Sequence, residues 1–180
     1  GRMDRFVYVS DALGLTMGYY HTMQLPLPQL AMSFTVLDHF FHAAFGGSFL
    51  NHQWLIAAAT PPFPGAPAAM VAQVDGSGNL TADGAVTPDG YAVNTVFAAN
   101  GPSPSGVAAA NRLPALTTPN IGDRLSGKTV SWAWYAGGWN NAAAGTPDGL
   151  FQYHHQPFVY WANYGPGTPG RAAHLKDESE

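Results

Sequence analysis

The sequence predicts an α/β protein with a loop- and hairpin-rich insertion, on three observations. A β-branched and aromatic run passes through "FGGS" into an apolar run closed by two prolines, across residues 35–62. Strand, glycine turn, helix is the arrangement by which many α/β enzymes present a reactive group. Turn clusters then fill residues 61–118, and a second strand-like run, "KTVSWAWYAGG" (128–138), again ends in a glycine turn.

The elements follow in order. "MDRFVYVSDALGLTMGYY" (3–20) has no opening loop and reads as the interior of a domain. Two prolines in "LPLPQLAMSFTVL" (25–37) precede Leu30, Phe34 and Leu37 on one face, which predicts a helix from about Pro28. "TVLDHFFHA" (35–43) has the composition of a short buried strand. "SFLNHQWLIAAAT" (48–60) suits a helix with Ser48 at its N-cap, stopped by Pro61 and Pro62. The clusters "PPFPGAP", "DGSGN", "TPDG" and "NGPSPSG" mark turns. Between them "MVAQV" (70–74) and "YAVNTVF" (91–97) are strand-like, so residues 61–118 read as hairpins and loops inserted into the scaffold. "TPNIGDRLSG" (118–127) predicts a short capped helix, and the tail from Leu150 is aromatic and loop-like, then polar. There is no internal repeat.

Composition excludes several functions. With 180 residues the chain can bury one real core. Charged residues make up 10%, against roughly 25% in an ordinary soluble domain. With 21 glycines and 15 prolines, this implies a polar, aromatic surface or one covered by more protein. A net charge of −4 without a basic stripe argues against nucleic acid as a partner. The absence of cysteine excludes disulfides and thiolate metal sites. No apolar run reaches the length of a membrane span, and the opening "GRMDRFVYVS" is not a signal peptide.

Ser48 carries two readings. It is a capping hydroxyl, or it is a nucleophile at a helix N-terminus, where an anion is favoured. Gly46 and Gly47 would let a ligand approach the backbone, and Asn51 and His52 fall one turn further on. The pattern is not a G-x-S-x-G elbow, because Leu50 stands two residues after the serine.

Among the histidines, His39 and His42 read either as core residues or as an H-x-x-H metal pair. His154 and His155, in "YHHQPF", reach one ligand together only from irregular backbone, and two imidazoles there can hold phosphate oxygens or protonate a leaving group. Asp4, Asp11 and Asp38 are isolated, Asp75, Asp83, Asp89 and Asp148 sit in turns, and "KDESE" (176–180) reads as a solvated terminus. No acidic cluster for a divalent ion is expected. "SWAWYAGGWNN" (131–141) reads as core, with Trp139 and Asn140 the two residues that would reach a cleft.

Five phrases in order, "MGYY" (17–20), "FGGSFLNHQWL" (45–55), "VSWAWYAGGWNNA" (130–142), "FQYHHQPFVYWANY" (151–164) and "HLKD" (174–177), closely resemble one family. It is the bacterial phosphoesterase family of AcpA-type acid phosphatases and phosphatidylcholine-type phospholipases C, in the alkaline-phosphatase-like superfamily. The resemblance covers nearly the whole chain. "GGSFLNH" is similar to the acid-phosphatase branch, since the phospholipase C branch carries threonine in a "GPT-x-PN" context.

The resemblance implies an α/β/α sandwich of the alkaline-phosphatase-like type. It implies that Ser48 is a nucleophile forming a covalent phosphoenzyme, and that His154 and His155 contact the phosphate. Asn51 and His52 join them as candidate substrate-binding residues. It also implies a divalent metal ion bound in part by Ser48. The family's other ligands, a Glu–Asn pair in "ENRSFDH" and a later Asp–Asp pair, are not in these residues. The chain is therefore expected to be an internal portion, 1–180, of one longer phosphoesterase domain. Its site would be completed by the missing segments or by other chains, in a protein that is periplasmic or secreted. The expected function is hydrolysis of phosphate monoesters through phosphoserine. The alternatives are a phospholipase C or phosphodiesterase acting on phosphocholine lipids, and a non-catalytic fragment whose Ser48 is only a cap.

Overall fold

A computed structural model describes residues 6–180; the opening "GRMDR", with the isolated Asp4, lies outside the described residues. The chain divides into two units, residues 1–41 and 42–180.

In the first unit, α1 (Phe6–Val9) leads to a 3-10 turn at Leu13–Met17 and then α2 (Pro26–Ala31). α2 starts at a proline, whose fixed φ and missing N–H suit the first helical position. It is shorter than the spacing predicts and ends before Phe34 and Leu37, and Leu30, Phe34 and Leu37 are all exposed. The strand expected over 35–43 does not form. β-branched and aromatic residues favour strands by packing on a pleated neighbour. Here Val36, Leu37, Phe40 and Phe41 are exposed and have none.

The second unit mixes short helices with small sheets, and the α/β class holds. α3 (Ser48–Ala57) is its longest helix. It closes on Ala58 in the left-handed region (φ 53°), before the two prolines. β1 (Gln73–Val74) and β2 (Leu80–Ala82) form an antiparallel hairpin, its Asp75 carboxylate holding the turn amides of Ser77 and Asn79. β3 (Phe97–Ala98) pairs in parallel with β4 (Arg112–Leu113). α4 (Ile121–Gly127) carries the expected cap as a reciprocal box: Asn120 accepts from the Asp123 amide, and Asp123 accepts from that of Asn120. β5 (Trp134–Ala136) runs through Gly137 and Gly138 into α5 (Trp139–Ala143). α6 (Pro169–His174) then delivers β6 (Leu175–Asp177), which pairs in parallel with β5. Among the described residues the strands form three separate two-stranded sheets, and no helix is long and apolar enough to cross a membrane.

The aromatic tail forms the core. Residues 153–164 make three successive 3-10 turns, and Phe158, Val159, Tyr160 and Trp161 are buried. Irregular backbone can be buried only if its polar groups are paired. Asn100 donates to the carbonyls of Val159 and Trp161, and the Leu116 amide donates to Tyr160. Tyr160 donates its hydroxyl to Val96, and Trp161 its indole N–H to Thr118. Phe49 of α3 lies against Tyr160, ring centroids 5.5 Å apart. This contact seats the first turn of α3 beside the segment that carries the paired histidines.

"KDESE" is not simply a solvated terminus. Asp177 is buried at the end of β6 and accepts from the Asn140 amide and from Ser179, bonds that hold its carboxyl below the ordinary range. Trp139 is core, and the Asn140 side chain is tied to Glu180, so neither faces a cleft.

Candidate active site

Ser48 is not the N-cap of α3. Gly47 occupies that position in an extended conformation, and no side chain caps the helix. Ser48 is the first helical residue, and its hydroxyl points across the chain. Its Oγ lies 2.7 Å from Nε2 of His154, a residue 106 positions later. The sequence left a cap and a nucleophile as alternatives; tertiary packing gives the hydroxyl a histidine instead of a backbone amide. The amides of the first turn of α3 have no intrahelical acceptor, and with the helix dipole they make this end favourable to an anion.

Asn51 is turned toward the preceding loop. Its Oδ1 accepts from the Ala44 amide, and its Nδ2 donates to the carbonyls of Ala44, Gly46 and Gly47 at 3.0–3.2 Å. It fixes the loop that enters α3. Gly46 is needed for the same approach, since a Cβ there would meet Leu50 Cδ2 at 2.7 Å.

His52 donates from Nδ1 to the Ser48 carbonyl one turn back, at 2.7 Å. A carbonyl can only accept, so this bond sets the ring's tautomer. His52 stacks on His155 at 4.8 Å between centroids, and His155 meets His154 edge-on at 4.6 Å. The three rings and Ser48 thus form one contiguous group from two segments. Trp134 of β5 supports it, donating its indole N–H to the His155 carbonyl at 3.0 Å.

Burial, then the neighbouring His155 and His52, pushes the His154 pKa from 6.5 down to about 4. His155 is lowered as well, by burial and by His52. His154 is therefore neutral over most of the pH range and can accept the Ser48 proton at Nε2. The irregular backbone expected at "YHHQPF" is the 3-10 turn Tyr153–His155, which lets adjacent side chains meet the same centre.

His42 is exposed rather than core and does not join this group; in the first unit His39 is exposed too, and contacts its neighbour Asp38 at 2.9 Å. Among the described residues no three histidine, aspartate or glutamate side chains converge to hold a metal ion. The residues present do not by themselves fit the expected divalent ion.

A cleft of about 920 Å³ opens beside the histidines, with His52, His155, Trp134, Phe151, Asp148 and Glu178 on its wall. Sequence reasoning placed Asp148 in a turn and Glu178 in a solvated tail. The parallel pairing of β5 with β6 brings Glu178 to this wall, and no local sequence signal announces it.

A helix-terminal serine bonded to a neutral histidine, in an α/β scaffold, defines a candidate nucleophilic site of the hydrolase kind. The chain belongs to the Phosphoesterase family, whose model matches residues 1–180. Membership makes it a hydrolase of phosphate esters by class. No curated protein and no solved structure matches the chain.

Proposed function

We propose that the protein hydrolyses phosphate monoesters through a covalent phosphoserine on Ser48, in the manner of the acid-phosphatase branch. The observation that carries this reading is the 2.7 Å contact between Ser48 Oγ and His154 Nε2 at the start of α3. His154 takes the hydroxyl proton as Oγ attacks phosphorus in line; the P–Oγ bond forms and the bond to the alcohol oxygen breaks. The departing alcohol, on the opposite side of phosphorus from His154, takes its proton from a water. The hydroxide left by that water attacks the phosphoserine from the vacated side, and the protonated His154 returns its proton to Ser48 Oγ as the P–Oγ bond breaks. The first amides of α3, with His155, stabilise the negative phosphoryl oxygens, while His52, its Nδ1–H committed to the Ser48 carbonyl, orients His155 by stacking on it. Asn51 acts as a positioning residue by holding the loop that aims Ser48.

A low His154 pKa suits chemistry in acid, since the base stays unprotonated down to about pH 4. No step above depends on the family's divalent ion, for which Ser48 is the one expected ligand among these residues. The parallel pairings β3–β4 and β5–β6 are compatible with a place in an α/β/α sandwich.

The test is acid quenching during turnover of an aryl phosphate, with mass spectrometry of the Ser48 peptide, with and without a chelator. A phosphoryl adduct is expected in the wild type and none in Ser48→Ala, whose turnover should fall at least about 10³-fold with its fold retained. Full activity in Ser48→Ala overturns the reading. Chelator-sensitive turnover supports the metal.

A further inference from the structure

A second pocket, of about 400 Å³, shares no lining residue with the cleft beside the histidines. Its wall carries one cation, Arg171 of α6, and no carboxylate. The guanidinium is fixed on two sides. Nη1 donates to the carbonyls of Gly101 at 3.1 Å and Tyr164 at 3.4 Å, and the group lies over the Trp139 ring, 4.8 Å from its centroid. The other edge, Nε and Nη2, has no acceptor among the described residues, and none of their carboxylates pairs with it. The side chain is half-buried, and burial draws its pKa below the ordinary arginine value with no neighbouring anion to oppose the shift. A cation withdrawn from water in this way ordinarily has a counter-ion. The same wall holds the hydroxyls of Ser105 and Tyr153, which have no partner among the described residues.

We propose that this pocket binds a small oxyanion, a phosphate or carboxylate group, across the free Nε–Nη2 edge of Arg171, with the Ser105 and Tyr153 hydroxyls as further donors. That edge presents two parallel N–H groups, the geometry that holds two oxygens of one anion at once. The contacts with Gly101, Tyr164 and Trp139 already hold the guanidinium, so little rotamer freedom is lost on binding. With no carboxylate on the wall, nothing there repels the anion. The site stands independently of the Ser48 reading. The 3-10 turn Tyr153–His155 contributes Tyr153 to this pocket and His155 to the cleft, so the two sites share one structural element and no residue.

The test follows the assigned Arg171 Nε–Hε signal by NMR as inorganic phosphate or acetate is added, against chloride at the same ionic strength. A saturable shift is expected. Saturation with phosphate alone makes the ligand a phosphate group, and saturation with acetate alone makes it a carboxylate. The same titration in Ser48→Ala should give the same curve, which separates this pocket from the catalytic group; loss of the Ser48 reading leaves the result standing. Arg171 also holds two carbonyls, so the deciding variant leaves it in place. Ser105→Glu puts a fixed carboxylate in the pocket, where it competes for the same fork and repels the incoming anion. The apparent Kd should weaken about tenfold in that variant. A signal that does not saturate with either anion, or a Kd unchanged in Ser105→Glu, overturns the proposal.

Discussion

Acidification is expected to destabilise the second unit through His154. Its ring is buried beside His155 and His52, which lowers its pKa from 6.5 to about 4. Between those two values the unfolded chain binds a proton that the folded chain does not. Stability therefore rises with pH across this window, is complete above about 6.5, and is lost as pH falls toward about 4. At about 1.4 kcal/mol per pH unit the shift sets a ceiling of about 3.4 kcal/mol. The ring meets the exposed side chains of Ser48 and His155, and water there screens part of the effect, leaving about 1–2 kcal/mol. His155 shifts in the same direction and adds to the slope. The assay is urea denaturation at several pH values, for the wild type and for His154→Gln, which cannot titrate. The wild type should lose stability relative to the variant as pH falls through the window. Parallel curves would mean that His154 is not held neutral, and the general-base assignment would lose its physical ground.

Two further outcomes follow from the geometry. Asn51→Ala removes the side-chain bonds to the loop at Ala44, Gly46 and Gly47; it should cost about 1–2 kcal/mol in urea and lower kcat more than it raises KM, whereas a purely structural role would leave kcat untouched. Gly122→Ala would put a methyl group 2.5 Å from Trp132 Cζ2 and 2.6 Å from the Tyr164 hydroxyl. Overpacking of this kind costs about 1–3 kcal/mol, and an unchanged urea midpoint would refute the packing of α4 against that wall.

Local chemistry made several features legible in sequence. The helix after "FGGS" was readable because an apolar run bounded by glycines and two prolines has few alternatives, and α3 occupies it. The capping box of α4 and the strand of β5 entering a glycine turn were readable for the same reason, since caps and turns depend on residues a few positions apart. Ser48, His154 and His155 were singled out from residue type, helix position and family resemblance, and they meet in one group. The strand over 35–43 failed because strand propensity needs a partner surface, and Val36, Phe40 and Phe41 have none. The N-cap assignment of Ser48 failed by one residue, because Gly47 fits the extended cap conformation and frees the serine hydroxyl.

By itself, the sequence determined the α/β class, the helix that carries Ser48 and the irregular backbone that carries two adjacent histidines, since each depends on contacts within a turn or two. Tertiary structure decided the rest. It gave the Ser48 hydroxyl a histidine partner in place of a backbone amide by bringing His154 to 2.7 Å across 106 residues. It turned Asn51 into a clamp on its own loop, made the aromatic tail the core, and paired β5 with β6 so that Glu178 joins Asp148 on the cleft wall. Those outcomes depend on which distant surfaces bury each other, and a local pattern carries no record of that choice.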